Sequence, residues 1–258
     1  MKTKLNQKIV RAGYALLILS LLTFSITSCK KKEKPDAENP MSGATPMPTY
    51  PTPSDADAVL VAVKSSVPSP VQMPGMGMDL TVDIGLGVAL LKNNAKADKV
   101  LLNNTELKFT NGVHTWMPDF KNVTDPTNVT GINLNGNISW EITNPNISKT
   151  LSGIPGKPTV TSGKTITKSQ GFVINNSRAS GAEEVLYAIY SGSKYVMKTL
   201  PGNSTSCTFT AAELPELGTT KNAIVQTNAY AISSETIGGK KVYFVRQSSY
   251  SMTSVEII

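Results

Sequence analysis

Hydrophobic and polar residues alternate in short runs along most of the chain after about residue 55. Val59–Val63 and Leu80–Ile84 are rich in β-branched side chains, and every second residue of Ile138–Ile142 is apolar. Successive side chains of a strand point to opposite faces, so a period of two indicates strands with one buried face. Apolar residues at helical spacing are nearly absent from this region. The pattern predicts an all-β fold.

The first part of this region is predicted to form an antiparallel β-sandwich domain over residues 55–147. Two Asn-Gly pairs, Asn111-Gly112 and Asn135-Gly136, indicate tight turns. The second pair lies between Ile132–Leu134 and Ile138–Trp140, an arrangement typical of a β-hairpin. Further strands are expected at Leu86–Leu91, Lys99–Leu102 and Leu107–Thr110.

Two glycines interrupt the second strand run. Gly85-Leu86-Gly87 resembles part of a dinucleotide-binding glycine motif, but it lies inside a run of strand-forming residues. Glycine inside a strand often marks a bend or a β-bulge. We therefore expect an irregular strand here and no nucleotide-binding loop.

Residues 143–158 contain three prolines and two glycines with almost no alternation. Such a segment indicates a domain boundary or a long crossover. Beyond it, turn signals recur about every eight to twelve residues, which predicts a second antiparallel β-sandwich of seven strands over residues 155–258. Its strands are expected at Thr159–Thr161, Gly171–Ile174, Glu184–Tyr190, Tyr195–Leu200, Ser206–Thr210, Ala223–Ile232 and Lys241–Gln247, with a closing Ser254–Ile257.

One stretch of this second half resembles a known crossing between two sheets. Thr208–Thr210, then Leu214 and Leu217, then a long strand holding Tyr230, resembles the crossing between strands E and F of fibronectin type III and other immunoglobulin-like domains. The resemblance implies an immunoglobulin-like topology and no particular activity. A single helical turn is expected at Glu213–Leu217.

The N-terminus has the layout of a secretory signal over residues 1–28. Four basic residues precede an apolar run of about a dozen residues, Tyr14–Ile26, which is too short for a comfortable membrane span. The run ends in Ile26-Thr27-Ser28-Cys29, which resembles the lipobox of bacterial lipoproteins. That resemblance implies cleavage before Cys29 and lipidation of its sulfur, with the acyl chains holding the protein to a membrane. The proline-rich residues 29–54 are expected to be a disordered tether.

The chain as a whole resembles a group of surface lipoproteins from Bacteroidetes. The resemblance rests on the lipobox with its lysine-rich start, on the Pro/Thr tether, on Ala97–Asn103 leading to Trp116 and Trp140, and on Cys207–Leu217. It implies an outer-membrane lipoprotein of the cell envelope, with the periplasmic and surface-exposed faces both open, and it brings no chemistry.

The positive charge of the chain lies mainly in its signal. Residues 1–28 hold four of the 25 Lys and Arg and none of the 18 Asp and Glu, which leaves +3 on the remainder. All of that excess sits in Lys30–Lys34, beside the expected lipid. A basic stripe with interleaved aromatic residues is absent, so nucleic acid is not an expected partner.

Catalytic patterns are scarce. His114 is the single histidine of the chain, which excludes a multi-histidine metal site, and neither a nucleophile elbow nor a phosphate-binding loop occurs. The acidic pairs Asp79/Asp83 and Glu183/Glu184 could serve as the two carboxylates of a glycosidase, but they are expected on solvated strand faces. Asp55 and Asp57 could bind calcium, but no third acidic residue lies at a matching spacing. Cys207 is predicted to be a buried apolar side chain. We expect a protein that is not an enzyme and holds no cofactor.

Three functions remain open. The first is a lipid-anchored, non-catalytic envelope protein that presents a binding or structural surface to a glycan or an envelope protein. The second is a carbohydrate-binding module, which predicts a planar row of exposed rings among Trp116, Tyr190, Tyr195, Tyr243 and Tyr250, with Trp140, Phe172 and Phe209 buried.

The third is a Cu(I)-binding envelope protein. Thioethers and one imidazole form a soft ligand set that suits Cu(I). The candidate ligands are Met76, Met78, His114 and Met117, and this function requires the sulfur atoms to lie close to His114.

Overall fold

The protein is described from a computed structural model, which describes residues 53–68, 81–116 and 130–258. Residues Asp55–Ile258 form one compact unit. The signal, Cys29 and all but the end of the tether lie outside the described residues, as do Met76, Met78, Asp79 and Met117.

The described residues are almost entirely β-structure. They include three short 3₁₀ turns, Lys92–Asn94, Lys168–Gln170 and Ala211–Glu213. The strands are β1 (Ala58–Pro68), β2 (Thr81–Leu91), β3 (Lys99–Leu102), β4 (Thr105–Glu106), β5 (Lys108–Thr110), β6 (Val113–Trp116), β7 (Ile138–Thr143), β8 (Ile147–Leu151), β9 (Thr165–Ile166), β10 (Phe172–Asn175), β11 (Glu184–Ser191), β12 (Lys194–Pro201), β13 (Ser206–Phe209), β14 (Thr220–Ile237) and β15 (Lys240–Ile257). The all-β prediction is confirmed.

One large sheet of nine strands organises the unit. Its order is β12-β11-β14-β15-β1-β2-β6-β5, with β9 added beside the end of β15. The longest pairing is the β14–β15 hairpin, which turns at Gly238 and Gly239, both at positive φ. Next to it, β1 runs parallel to β15, and Lys64 lies opposite Ser248 in that register. The first and last strands of the unit are therefore neighbours.

Two smaller sheets pack on one face of the large sheet, which we call the inner face. The four-stranded sheet β4-β3-β7-β8 buries a core against β1, β2 and the start of β15, with Trp140 fully buried at its centre. The two-stranded sheet β10-β13 covers a second core against β11, β14 and the end of β15, where Phe209 is 1% exposed. The inner face thus carries two cores side by side.

The first core takes Val242 and Phe244 from β15 in addition to residues of 58–147, whereas the second core lies within 160–257. β8 lies within residues 143–158, for which the sequence predicted a domain boundary or a long crossover, and it pairs with β7 across a short turn. The stretch without strands between β8 and β9 is 152–164, and we call its first part, 152–158, the crossing segment. Because β1 pairs with β15, the large sheet continues through both halves, and one of its central pairings is parallel.

The second half departs from an immunoglobulin domain in the size of its partner sheet. Immunoglobulin domains pair sheets of three and four strands, whereas β10 and β13 form a partner sheet of two. The predicted crossing is present, since the chain passes from β13 to β14 in the large sheet through the 3₁₀ turn Ala211–Glu213. That turn begins two residues before the predicted one, because Thr210 and Glu213 form a capping box at its start.

The two Asn-Gly pairs behave differently. Asn111-Gly112 forms the predicted two-residue turn between β5 and β6, with both residues at positive φ. The hairpin predicted at Asn135-Gly136 is wrong. Residues 132–134 form no strand, since the Asn103 side chain donates to the carbonyls of Asn133 and Asn137 and accepts from the Ser139 N–H. β7 pairs with β3 and β8 instead.

The predicted irregularity at Gly85 is also wrong, because β1 and β2 keep continuous register through both glycines. The reason for glycine is a close approach of another backbone. A Cβ at Gly85 would lie 1.8 Å from the Ile132 carbonyl oxygen, and the Ile132 N–H donates to the Gly85 oxygen at 3.0 Å. The absence of a side chain lets residues 131–132 cross directly over β2.

Candidate functional site

The inner face becomes polar between the two cores. On β1, Leu60 and Ala62 belong to the first core, while Lys64 and Ser66 continue the same alternation beyond it. Ser248 lies opposite Lys64 on β15, and Asp83 lies opposite Ser66 on β2. The strand period therefore places these polar side chains together on the inner face, where neither smaller sheet covers them with apolar residues.

The crossing segment passes over this polar strip and is held by side chains of the large sheet. The Arg246 guanidinium donates to Ser152 and, at 3.2 Å, to the Gly153 carbonyl. The Ser248 hydroxyl donates to the Gly156 carbonyl at 2.9 Å, and Thr227 donates to the Pro158 carbonyl at 2.5 Å. Backbone carbonyls without strand partners are satisfied in this way, so the segment has a defined path.

An open groove of about 300 Å³ lies beside the crossing segment. Polar side chains of Lys64, Asp83, Asn135, Lys157 and Ser248 line it, together with the apolar side chains of Leu134, Ile154 and Pro155. Its volume is at the lower end of the range for small-molecule sites, about 300–1,000 Å³. We call it the junction groove because its walls come from both halves of the unit.

Two lysines bracket one carboxylate in the junction groove. Lys157 Nζ lies 3.2 Å from Asp83 Oδ1, and Lys64 Nζ lies 3.7 Å from Asp83 Oδ2. Lys64 also donates to Asn135 Oδ1 at 2.9 Å, and the Ser66 hydroxyl donates to Asp83 Oδ1. Because these three ionic side chains are the charged residues lining the groove, its net charge is positive.

The environment of Asp83 favours its ionised form. Burial by itself would raise the pKa of Asp83, but the hydrogen bonds from Ser66 and Lys157 and the positive charges of Lys157 and Lys64 together hold it below its ordinary value. Asp83 is thus an anion that positions two ammonium groups.

A second polar cluster lies on the opposite, outer face of the large sheet. Gln226 and Asn228 on β14 and Gln247 on β15 are between 0% and 3% exposed, and we call them the amide cluster. Gln247 Nε2 donates to Asn228 Oδ1 at 3.1 Å, yet Gln226 Oε1, Asn228 Nδ2 and Gln247 Oε1 have no hydrogen-bond partner. Leu186 on β11 lies opposite Asn228, and it belongs with Tyr190 and Tyr230 to a small apolar cluster formed by strands of the same sheet.

His114 has a structural environment. It is 3% exposed, its ring centroid lies 4.9 Å from that of Phe109, and the Ala97 backbone N–H donates to its Nε2 at 3.0 Å. Burial lowers the pKa of His114, which favours the neutral ring. The Nε2 lone pair is therefore already used by a hydrogen bond. The three methionines proposed with it as Cu(I) ligands lie outside the described residues.

The other candidate acids take part in structural hydrogen bonds. Glu183 accepts from the Ile232 N–H at 3.1 Å, and Glu184 accepts from the Tyr230 hydroxyl at 2.5 Å. Asp57 accepts from the Lys241 N–H at 2.8 Å, and Asp55 accepts from the Tyr243 hydroxyl at 2.9 Å. Within the described residues no group of three or more His, Cys, Asp and Glu side chains is placed to hold a metal ion.

The aromatic residues expected to stack on a sugar do not form a planar exposed row. Tyr195 is 53% exposed, but its neighbour Tyr190 is 5% exposed, and Trp116, Tyr243 and Tyr250 are partly buried. Trp140 and Phe209 are buried as predicted, whereas Phe172 is only partly buried at the edge of the second core. Cys207 is 3% exposed with a free thiol, and burial raises its pKa.

Among the residues that line the junction groove, the sequence pattern marks only Asp83 as a candidate functional side chain. Lys64, Asn135, Lys157 and Ser248 come from separate segments, and no local spacing connects them. One signal was available, since the alternation through Leu60 and Ala62 places Lys64 on a core-facing position. A lysine at such a position requires a partner and marks the end of an apolar core.

Among the described residues no helix is long and apolar enough to cross a membrane.

Comparisons with known proteins leave the family of this chain undetermined. No protein-family model matches the chain, and no curated protein matches it. Among solved structures, it is similar to one described as "Structural insight into host cell surface retention of a 1.5-MDa bacterial ice-binding adhesin", with 11% identity and a TM-score of 0.23. The likeness covers 76% of this chain and 64% of that one, so the chain spans less than two thirds of that structure. At this TM-score the likeness carries no argument about fold or function.

Proposed function

We propose that the chain is a lipid-anchored, non-catalytic binding protein of the cell envelope, attached through Cys29 to the outer membrane. The lipobox-like Ile26-Thr27-Ser28-Cys29 supports the anchor. The observation that carries the binding role is the junction groove, which offers half-exposed polar side chains beside an apolar wall on a rigid sheet. Its one carboxylate, Asp83, is engaged by two lysines, which suits positioning better than acid–base chemistry.

The anchor is tested by metabolic labelling with a palmitate analogue and by membrane fractionation. The chain is expected to incorporate the label and to sediment with membranes, whereas Cys29→Ser is expected to do neither. Cys207→Ser is the matched control, because it removes the other cysteine and should leave labelling unchanged. An unlabelled, freely soluble parent chain would refute the anchor.

Placement at the outer membrane is tested separately. Density-gradient separation of the two membranes should bring the labelled chain down with the outer membrane. Protease treatment of intact cells then distinguishes a surface-exposed protein, which is digested, from a periplasmic one, which is protected. Recovery with the inner membrane would contradict the proposed location.

A carbohydrate-binding role is the second candidate function, and the composition of the junction groove favours it. Sugars present hydroxyl groups together with apolar C–H faces, and the groove combines Asp83, Asn135 and Ser248 with Leu134, Ile154 and Pro155. The residues that line the groove offer hydrogen-bonding groups and an aliphatic wall, and none of them is aromatic. A glycan array probed with the detergent-solubilised full chain tests it. If the array gives no signal, the carbohydrate-binding role is refuted and a protein partner in the envelope is favoured instead.

A further inference from the structure

We propose that the junction groove binds a carboxylated sugar, a hexuronate unit of a glycan, with its carboxylate held by Lys64 and Lys157. This proposal deepens the proposed function and rests on its binding role, while it is independent of the lipid anchor. The feature that carries it is the pair of ammonium groups on opposite oxygens of one aspartate, at 3.7 Å and 3.2 Å, inside a groove with an apolar wall.

The two lysines retain hydrogen-bonding capacity. An ammonium group has three N–H donors and no acceptor. The Lys157 ammonium group contacts Asp83, and the Lys64 ammonium group contacts Asp83 and Asn135. The two side chains are 36% and 34% exposed, so both are partly open to solvent. In the proposed complex the ligand carboxylate accepts hydrogen bonds from both ammonium groups.

The net charge of the groove favours an anionic ligand. With two lysines against one aspartate, the groove has a single uncompensated positive charge. A neutral sugar leaves that charge uncompensated, whereas an anionic group offsets it. Arg246 Nη1 donates to the neutral oxygens of Ser152 and Gly153 on the crossing segment, so its guanidinium adds to the positive charge beside the groove. A ligand that carries a carboxylate therefore matches the groove better than a neutral one.

The remaining walls suit a hydroxylated ring. Leu134, Ile154 and Pro155 provide apolar surface for the C–H face of a sugar. The Ser248 hydroxyl donates to Gly156 and keeps its acceptor lone pairs, and Asn135 uses its Oδ1 for Lys64, which leaves Nδ2 as a donor. Ser248 and Asn135 line the same groove as the two ammonium groups, so one groove can bind both the ring hydroxyls and the carboxylate of the sugar.

The experiment is isothermal titration of the full chain in detergent micelles with three probes. Methyl glucuronide carries the ring and the carboxylate, methyl glucoside carries the same ring without the charge, and acetate carries the charge without the ring. We expect methyl glucuronide to bind at least tenfold more tightly than either other probe, and its affinity to fall as salt is raised. Equal affinity for the glucoside, equal affinity for acetate, or no binding of the glucuronide overturns the proposal.

Matched variants locate the site. Lys157→Gln is expected to weaken glucuronide binding about tenfold, since it removes a charge-assisted hydrogen bond. Lys240→Gln is the control, because Lys240 is an exposed lysine on β15 about eight residues, or roughly 26 Å, from Ser248. The same effect in both variants would show nonspecific attraction and overturn the assignment.

Asp83→Asn separates ligand binding from mere structural support. The variant keeps oxygen for the Ser66 hydrogen bond but removes the competing anion, so glucuronide affinity should rise several-fold. A loss of affinity in an Asp83→Asn chain with unchanged circular dichroism contradicts the proposal. If the chain is labelled by the palmitate analogue but does not bind glucuronide, the sugar site is refuted and the lipid anchor stands. If it binds glucuronide but is not labelled, the sugar site stands and the lipid anchor is refuted.

Discussion

Lys157 Nζ lies 3.2 Å from Asp83 Oδ1, and this ion pair ties the crossing segment to β2. Ser66 on β1 donates to the same carboxylate oxygen. One aspartate therefore connects the two central strands of the first core to the segment that leads into the second half. It lies where the inner face of β1 and β2 changes from the apolar residues of the first core to polar residues.

Replacing Asp83 by Asn is expected to lower the free energy of unfolding at neutral pH. The free energy of unfolding of the variant should also change less between neutral and acidic pH than that of the parent. The pKa of Asp83 is below its ordinary value of 3.8 in the folded state, so its ionisation stabilises the fold above about pH 4, and the contribution disappears as the pH falls through the lowered folded value. Asp83 and Lys157 are more than a third exposed, so solvent screening limits the loss to about 1 kcal/mol or less. Urea unfolding at pH 7 and at pH 2.5 measures it, and an equal deficit at both values would contradict the assignment.

Gly85→Ala is expected to destabilise the protein by about 3 kcal/mol. The new Cβ would lie 1.8 Å from the Ile132 carbonyl oxygen, and a backbone atom does not move aside as the end of a side chain does. The hydrogen bond from the Ile132 N–H to Gly85 is lost with the shift. Gly163→Ala is the control, since nothing lies within 4 Å of its added Cβ, and a change within about 0.5 kcal/mol is expected. Thermal unfolding of both variants decides whether the close approach exists.

The amide cluster predicts a coupled pair of substitutions. Gln247→Met alone leaves Asn228 Oδ1 without its donor in a fully buried position, which should cost about 1–3 kcal/mol. Adding Asn228→Leu removes that orphaned oxygen together with an amide nitrogen that already lacks a partner. The double variant is therefore expected to be more stable than Gln247→Met. A double-mutant cycle measured by urea unfolding gives the coupling free energy between the two positions. If the two single variants each lose stability and the double variant loses the sum of both, the amide groups have hydrogen-bond partners and the prediction is wrong.

Glu213→Gln is expected to remove a pH-dependent part of the stability. A hydrogen bond from Lys198 at 2.8 Å, followed by those from Thr210, lowers the pKa of Glu213 to about 2. Since the folded pKa is depressed, the stabilisation is present above the ordinary value of 4.5 and is lost as the pH falls toward about 2. The melting temperature of the variant should lie below that of the parent at pH 7, and the two should converge near pH 2. Parallel curves over this range would argue against the capping arrangement.

Local turn chemistry explains which hairpins were predictable. At Asn111-Gly112 the turn pairs β5 with β6, while β6 uses its other edge for β2, so the pairing follows the local turn. At Asn135-Gly136 the same dipeptide is flanked by suitable residues, but the Asn103 side chain binds the carbonyls that a hairpin would have used. Asn103 is distant in sequence, so no window around the turn contains the information.

The sequence by itself determined that this protein is built of strands, because the two-residue period of its side chains is a local property of the backbone. It also placed the buried side chains of Trp140, Phe209 and Cys207, since each alternates with polar neighbours. The tertiary structure alone decided that β1 lies parallel to β15 and that Lys64, Asp83 and Lys157 meet in one groove. Strand pairing depends on hydrogen bonds between distant segments, and a groove assembled from several segments exists only once those pairings have been made.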